Sequence, residues 1–484
     1  MSDRTPARGP RSWDWAGVLY NLMMTLAAPA LLAWAVARLV RSKARGGGGG
    51  VPPPLGWLPP AVGEPHHASD PVIWVHAASV GEVTAASAVL RELRLRLPLA
   101  HIVLSTSTPT GQSSARQRDL GVDAIFQFPV DAPLIMERLL ECIKPSVLVL
   151  VETEIWPNLL WLARRRGTRT AIINGRISDR AFPRNRTFRF VFRWALRNVD
   201  WIGAQSPLDA ERFVLLGADP AAVTVGGNSK FDEVPVRLLP AEAARWRQEF
   251  GFAEGDEILL AGSTHPGEEE AILTIFDHLR FSHKHLQLII APRHPDRGDR
   301  VHQLVREHGY DVYRRSHVLQ MREDGGEMGV PGAAAVRVVI IDTIGELGSI
   351  YGCADLVIVA GSLLHGLAGH NLLEPIAQGK MVLFGRYCAD FRDISAVAVR
   401  EGCGVQVQSV EELQEQCDRL LTAPEERALA AERGTRMLAK HAGASARYAQ
   451  VIAEMAEPPA GADVAPSDAG PGPAEAFAPA GEVP

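Results

Sequence analysis

An α/β fold of two lobes, each wound around a mostly parallel sheet, is predicted by three observations. Short apolar runs alternate with amphipathic segments from Pro71 to about Gly227, the pattern of strands joined by crossover helices. The alternation starts afresh at Glu257, after a joining segment at Leu238 to Gly251. In both series the strands open onto polar or small residues, which a parallel sheet gathers along one rim.

The first series is organised around Val72 to Glu82. Val72-Ile73-Trp74-Val75 has the composition of a buried strand, and His76 to Glu82 turns into a helix running to about Leu97. Glu82 thus falls in the first turn of a helix just beyond a strand end, where ligands bind in open α/β sheets. Two roles fit it: complementing the dipole of its own helix, or accepting a proton.

The further strands expected are Ile102 to Ser105, Ala124 to Phe128, Val147 to Val151, Thr170 to Ile173, Trp201 to Ala204 and Val223 to Val225. They open onto Thr106-Ser107-Thr108, Glu152-Thr153-Glu154, Asn174-Gly175-Arg176, Gln205-Ser206 and Asn228-Ser229-Lys230. Glu152 and Glu154, two apart, share one side if the segment is extended. Near Glu82 they raise at least one pKa, and one of them is a candidate partner for Arg176. Arg189, Arg193 and Arg197 recur every fourth residue beside Phe190, Phe192 and Trp194, which is either a solvated face or a surface for lipid phosphates.

The second series comprises Ile258 to Ala261, Leu286 to Ile290, Val336 to Ile341, Leu356 to Val359, Met381 to Phe384 and Gly404 to Val407. Small residues at Gly262-Ser263, Gly345 and Gly369 let backbone N–H groups approach a phosphate. Arg293 supplies a permanent charge, and Glu374, one helical turn after His370, is placed to accept ribose hydroxyls.

Ahead of both lobes, Trp15 to Val40 is strongly apolar, and Ala16 through Ala37 carries no charge. The run is long enough for an uncleaved membrane anchor, with a signal peptide or a helix lying in the surface as alternatives. Gly46 to Pro54 is a linker, since no strand precedes it and proline follows. The expected division is 1–45 anchor and basic flank, 46–70 linker, 71–237 first lobe, 238–456 second lobe and 457–484 disordered tail.

Several classes are excluded or weakened. A net charge of −6 over 484 residues argues against general nucleic-acid binding. The 5 cysteines show no paired spacing, which fits reduced thiols and a body on the cytoplasmic face. No G-x-G-x-x-G follows a strand, no D-x-D occurs, and the histidines are not spaced as ligands, so neither a dinucleotide cofactor nor a metal is expected.

Taken together, His76 to Glu82, Glu152 to Asn158, Asn174 to Ser178, Gly227 to Asp232, Gly262 to Glu269, Pro292 to Pro295, Asp342 to Leu347 and His370 to Pro375 carry a family likeness. Over Val72 to about Val451 the chain resembles the bacterial 3-deoxy-D-manno-octulosonic acid (Kdo) transferases of lipopolysaccharide assembly. The resemblance implies a GT-B glycosyltransferase fold of two Rossmann-like lobes facing a cleft, with an N-terminal membrane anchor and no cofactor. It implies a CMP-Kdo donor, the lipid A disaccharide precursor as acceptor, and the inner membrane as location.

On that basis Glu82 corresponds to the general base, and Glu152 and Glu154 to an acidic pair near the reacting sugar. Ser263, Thr264, His265, Arg293, His294, Gly345, Glu346, Leu347, Gly369, His370, Asn371 and Glu374 would hold the donor. Ser79, Asn174, Arg176, Lys230, Arg189 and Arg193 would serve the acceptor or Kdo, with Arg176 and Lys230 first candidates for the Kdo carboxylate. The sequence departs from the family at Ala368, where the usual motif has glycine, and at Gly46 to Pro54, where a more polar segment is expected.

Overall fold

The computed structural model describes residues 15–26, 70–323 and 337–457. The first lobe holds β1 (Val72–His76), β2 (His101–Thr106), β3 (Ala124–Gln127), β4 (Val147–Val151), β5 (Arg169–Gly175), β6 (Trp201–Ala204) and β7 (Val223–Val225). These form one parallel 7-stranded sheet in the order β3-β2-β1-β4-β5-β6-β7. Helices cover both faces, so a strand such as β4, with the sequence VLVLV, is buried along its whole length. Alternate residues feed opposite cores: Trp74, Leu148 and Leu150 on one face, Ile73, Val75, Val147 and Val149 on the other.

The second lobe holds β8 (Glu257–Thr264), β9 (Leu286–Pro292), β10 (Asp311–Arg314), β11 (Arg337–Ile340), β12 (Leu356–Val359), β13 (Val382–Gly385) and β14 (Gly404–Val407). Its 7 strands run in the order β10-β11-β9-β8-β12-β13-β14. Strand β10, which hydrophobic pattern does not predict, is a four-residue edge strand paired only with β11. In each sheet the winding reverses beside the first strand, between β1 and β4 and between β8 and β12. Loops on either side of such a reversal diverge and leave a crevice at the strand ends.

Chain order misplaces the last helix. Ala444–Ala456, expected in the 238–456 lobe, packs on the first lobe, with Tyr448, Ala449 and Ile452 in the core beside Ile73 and Val75. Ser445 N and Arg447 Nε reinforce it by donating to Asp232 Oδ2 (2.7 Å) and the Gly226 carbonyl (3.1 Å). The reason is that its apolar face is buried there, beside the helix Val80–Arg96 and over β4 and β5.

The expected anchor is described only in part. Residues 15–26 are helical, and one side of this helix is built into the first lobe. Ala16 is buried, Gly17 lies against Trp194, Tyr20 Oη donates to Asp131 (3.1 Å) and Asn21 Nδ2 donates to Asn158 Oδ1 (2.9 Å). Among the described residues no helix is long and apolar enough to cross a membrane. The rest of the apolar run, the 46–54 linker and the 458–484 tail lie outside the described residues.

Candidate active site

The reversal between β1 and β4 brings the three acids together. Ser79 is the N-cap of the helix Val80–Arg96, and its backbone N–H donates to Glu82 Oε2 (3.0 Å). The capping role is therefore real. Burial, followed by the nearby charges of Glu154 and Glu152, pushes the Glu82 pKa up to about 8, against weaker opposing hydrogen bonds from Ser79 and Ala78.

The segment after β4 is not extended, contrary to expectation. Glu152 has φ +58, in the left-handed region, so it and Glu154 diverge instead of sharing one side. Glu152 turns to Lys230, whose Nζ lies 2.7 Å from Oε1. Lys230, not Arg176, is thus its partner: Arg176 reaches the other lobe, with Nη2 2.5 Å from the Ala389 carbonyl and 3.8 Å from Asp390. Asn174 (φ +52) is fully buried and structural, its Oδ1 accepting from Ser229 N (3.0 Å).

Glu154 turns to His76, at 3.4 Å from Nε2. Trp74 Nε1 donates to Ser105 Oγ (2.8 Å), which lies 2.9 Å from His76 Nδ1, so the imidazole is held between Ser105 and Glu154. His76 was visible in the sequence as a strand-end residue, but only the pairing of β1 with β2 reveals this arrangement.

The reversal between β8 and β12 assembles the other half. The rings of His265 and His370 are parallel to within 5° with centroids 5.2 Å apart and meet edge to edge, their Nε2 atoms 2.9 Å apart. Both pKa values are lowered, first by burial; that of His370 falls to about 4, with Arg293, His265 and His294 adding to the effect. Exposed Arg293 and His294 complete the rim, with the His294 ring 6.1 Å from that of His265. Asn371 Nδ2 donates to Glu374 Oε1 (3.1 Å), while burial raises the Glu374 pKa.

Other expected donor residues are less available. Thr264 is buried and donates to Glu269 Oε1 (2.8 Å). Glu346 is held by Arg315 (2.7 Å) and Thr343; burial would raise its pKa, but these hydrogen bonds outweigh it and keep the group low. Gly345 (φ +94) leads that turn and Leu347 opens the short helix behind it. Ser263 is left-handed at φ +60, beside His265.

The two halves face each other. Arg392 of the second lobe pairs with Asp179 of the first (2.5 Å), and Lys230 Nζ lies over the Phe391 ring at 5.7 Å. Arg118, from the first lobe, is near enough to Glu374 to oppose its raised pKa. Sequence carried no signal for Arg118, Asp179 or Arg392, because each acts across the cleft. Arg189 and Arg193 are not in this cleft group: with Trp15, Ala16, Phe190, Trp194 and Arg197 they line a separate cavity of about 260 Å³.

Residues 53–233 match the family described as 3-deoxy-D-manno-octulosonic-acid transferase (kdotransferase). The 3-deoxy-D-manno-octulosonic acid transferase of Haemophilus influenzae is 30% identical over 388 residues, covering 78% of this chain and 86% of that one. That of Bordetella pertussis is 31% identical over 385 residues, covering 78% and 85%. A bifunctional glycosyltransferase/methyltransferase of Fusobacterium nucleatum is 34% identical over 70% of this chain, which spans only 51% of it.

Among solved structures, a glycosyltransferase from Rickettsia africae aligns over 80% of this chain and 98% of its own, with a TM-score of 0.53 at 11% identity. The UDP-GlcNAc 2-epimerase of Neisseria meningitidis aligns over 79% and 98%, with a TM-score of 0.52 at 13% identity. At such identities the likeness speaks for the two-lobed fold alone. The relatives from Haemophilus and Bordetella decide the family: this chain belongs to the 3-deoxy-D-manno-octulosonic acid transferases.

Proposed function

We propose that the protein transfers Kdo from CMP-Kdo to a glucosamine hydroxyl of the lipid A disaccharide precursor by direct, inverting displacement. The observation that carries this reading is the carboxyl of Glu82, set at the β1/β4 crevice with a pKa raised to about 8 by burial and by Glu154 and Glu152. Such a group is a strong base once ionised, and about a tenth of it is ionised at pH 7. It accepts the hydroxyl proton while that oxygen bonds to the anomeric carbon; the carbon–phosphate oxygen bond breaks and CMP departs with the electron pair.

On the opposite lobe, Arg293 offers a fixed charge and the neutral His265–His370 pair one N–H donor to the departing phosphate, the other N–H being spent on the bond between the rings. Lys230, at the end of the acidic group, is the cation best placed for the Kdo carboxylate, exchanging part of its bond to Glu152. Arg176 is committed to the second lobe and serves closure of the cleft in this reading.

The N-terminal helix fits a body that lies on the inner membrane, with its catalytic part on the cytoplasmic face. Trp15, Val18, Leu22 and Leu26 form an exposed stripe opposite the buried Ala16, with exposed Arg189 and Arg193 alongside. Flotation with anionic vesicles, lost in an Arg189→Glu/Arg193→Glu variant, is the expected result; binding unaffected by these changes refutes the surface role.

The decisive experiment incubates detergent-solubilised protein with CMP-Kdo, with and without the lipid A precursor. CMP release that requires acceptor is expected, and Glu82→Gln lowers turnover by roughly 10²-fold or more with the fold intact. Donor consumption independent of acceptor favours a hydrolase or epimerase on the same fold, and near-normal turnover of Glu82→Gln removes the base from that residue.

A further inference from the structure

The loops that carry His265 and His370 come from opposite sides of the β8/β12 reversal, and one buried side chain joins them. Glu268, in the first turn of the helix Glu268–Ser282, is fully buried. Its Oε2 accepts from His265 N (3.0 Å) and Gly361 N (2.8 Å). Its Oε1 accepts from Ser362 N (3.1 Å) and Leu363 N (3.0 Å). Four donors fill what a carboxylate's two oxygens can accept.

The consequences reach both imidazoles. The bond to His265 N fixes the backbone from which that ring projects. Gly361, held by the same carboxylate, accepts in turn from Gly369 N (2.8 Å), one residue before His370. Gly361 has φ +71, and a Cβ there would collide with the His370 ring, so the ring lies directly on this turn. Ser362 is tied on its far side, with Oγ accepting from Gly385 N (2.8 Å) and its carbonyl accepting from Tyr387 N (3.0 Å).

We propose that Glu268 is the positioning residue of the donor half-site: it holds the His265 and His370 imidazoles at hydrogen-bonding distance and, by filling the backbone N–H cradle at Gly361 to Leu363, closes that cradle to the donor phosphate. The negative charge of the donor is thereby directed to the exposed Arg293 and the one imidazole N–H that the ring pair leaves over, instead of to the loop after β12. The inference rests on the donor reading above, since it takes the second lobe as the nucleotide side.

Glu268→Gln is nearly isosteric but turns an amide NH2 toward backbone donors, so the cradle loosens without a change of volume. Calorimetry with CMP as the probe is expected to show binding about tenfold or more weaker in Glu268→Gln than in the wild-type chain. In steady-state assays the donor KM rises while the acceptor KM does not. Nitrogen NMR of the imidazoles supplies a readout a general loss of stability does not move: in the wild type one Nε2 is protonated and its partner is not, and this pairing is lost in the variant.

Should Glu268→Gln not fold, Glu268→Asp, which keeps the charge but is one methylene too short to span all four donors, is read in the same way. Wild-type CMP affinity and an intact imidazole pair in a folded variant overturn the positioning role and leave the donor reading standing. Absence of CMP binding by the wild type overturns the donor reading, while the imidazole pairing still reports on Glu268.

Discussion

Lys230 and Glu152 form an ion pair, Nζ to Oε1 2.7 Å, with side-chain exposures of only 13% and 12%. The cation nearest the acidic group is thereby committed to the carboxylate that it neutralises, and Glu82 gains no relief from it. Breaking a pair this sheltered leaves an uncompensated charge, so Lys230→Met is expected to destabilise the fold by on the order of 3 kcal/mol in urea unfolding. Adding Glu152→Met to Lys230→Met restores most of that loss. Additive losses in the two single variants argue against the coupling.

The raised pKa of Glu82 sets the pH dependence of turnover. The base must be ionised, so kcat/KM is expected to climb about tenfold per pH unit below an inflection near 8 and then level off. Glu154→Gln removes one of the charges that hold the proton on Glu82, and moves the inflection to lower pH. An unchanged inflection in that variant means another group controls the profile.

Stability responds to pH in two opposite windows. For Glu82 the folded-state pKa of about 8 exceeds its ordinary value of 4.5, so its contribution is complete below about 4.5 and is lost as pH rises through 8. For His370 the folded value of about 4 lies below the ordinary 6.5, so its contribution is complete above 6.5 and is lost as pH falls through 4. Each slope is at most about 1.4 kcal/mol per pH unit. Urea midpoints are expected to lose a fall between pH 4.5 and 8 in Glu82→Gln and a rise between pH 4 and 6.5 in His370→Gln, the two slopes offsetting each other in the wild type where these ranges overlap.

Gly361 is left-handed and lies under the His370 ring. Gly361→Ala imposes backbone strain of roughly 1–2 kcal/mol and displaces that ring. A fall of this size in unfolding free energy, with CMP binding weakened by tenfold or more, is the expected outcome. A stable variant with unaltered CMP affinity shows that His370 is free to move without consequence for the nucleotide.

Most of the strands were legible in the sequence because a parallel sheet buried on both faces demands continuous apolar runs such as Val147–Val151 and Leu356–Val359. β10 was not, since an edge strand needs no such run. Glu82 could be singled out from its place after β1, and its capping bond to Ser79 agrees with a local sequence signal. The extended geometry expected at Glu152 to Glu154 failed, because the left-handed Glu152 is held by tertiary contacts with Lys230 and Asn174.

By itself, then, the sequence determined what is local: which runs become strands, where helices start, and which polar groups stand at the strand ends. Tertiary structure alone decided strand order, which sets β1 beside β4 and β8 beside β12 and so makes neighbours of Glu82 and Glu154, and of His265 and His370. It also sent Ala444–Ala456 back to the first lobe and chose Lys230 over Arg176 as partner of Glu152. The physical reason is range: periodicity and capping act over a few residues, whereas burial of a sheet face and pairing of a sheltered charge are settled by whatever the folded chain brings near.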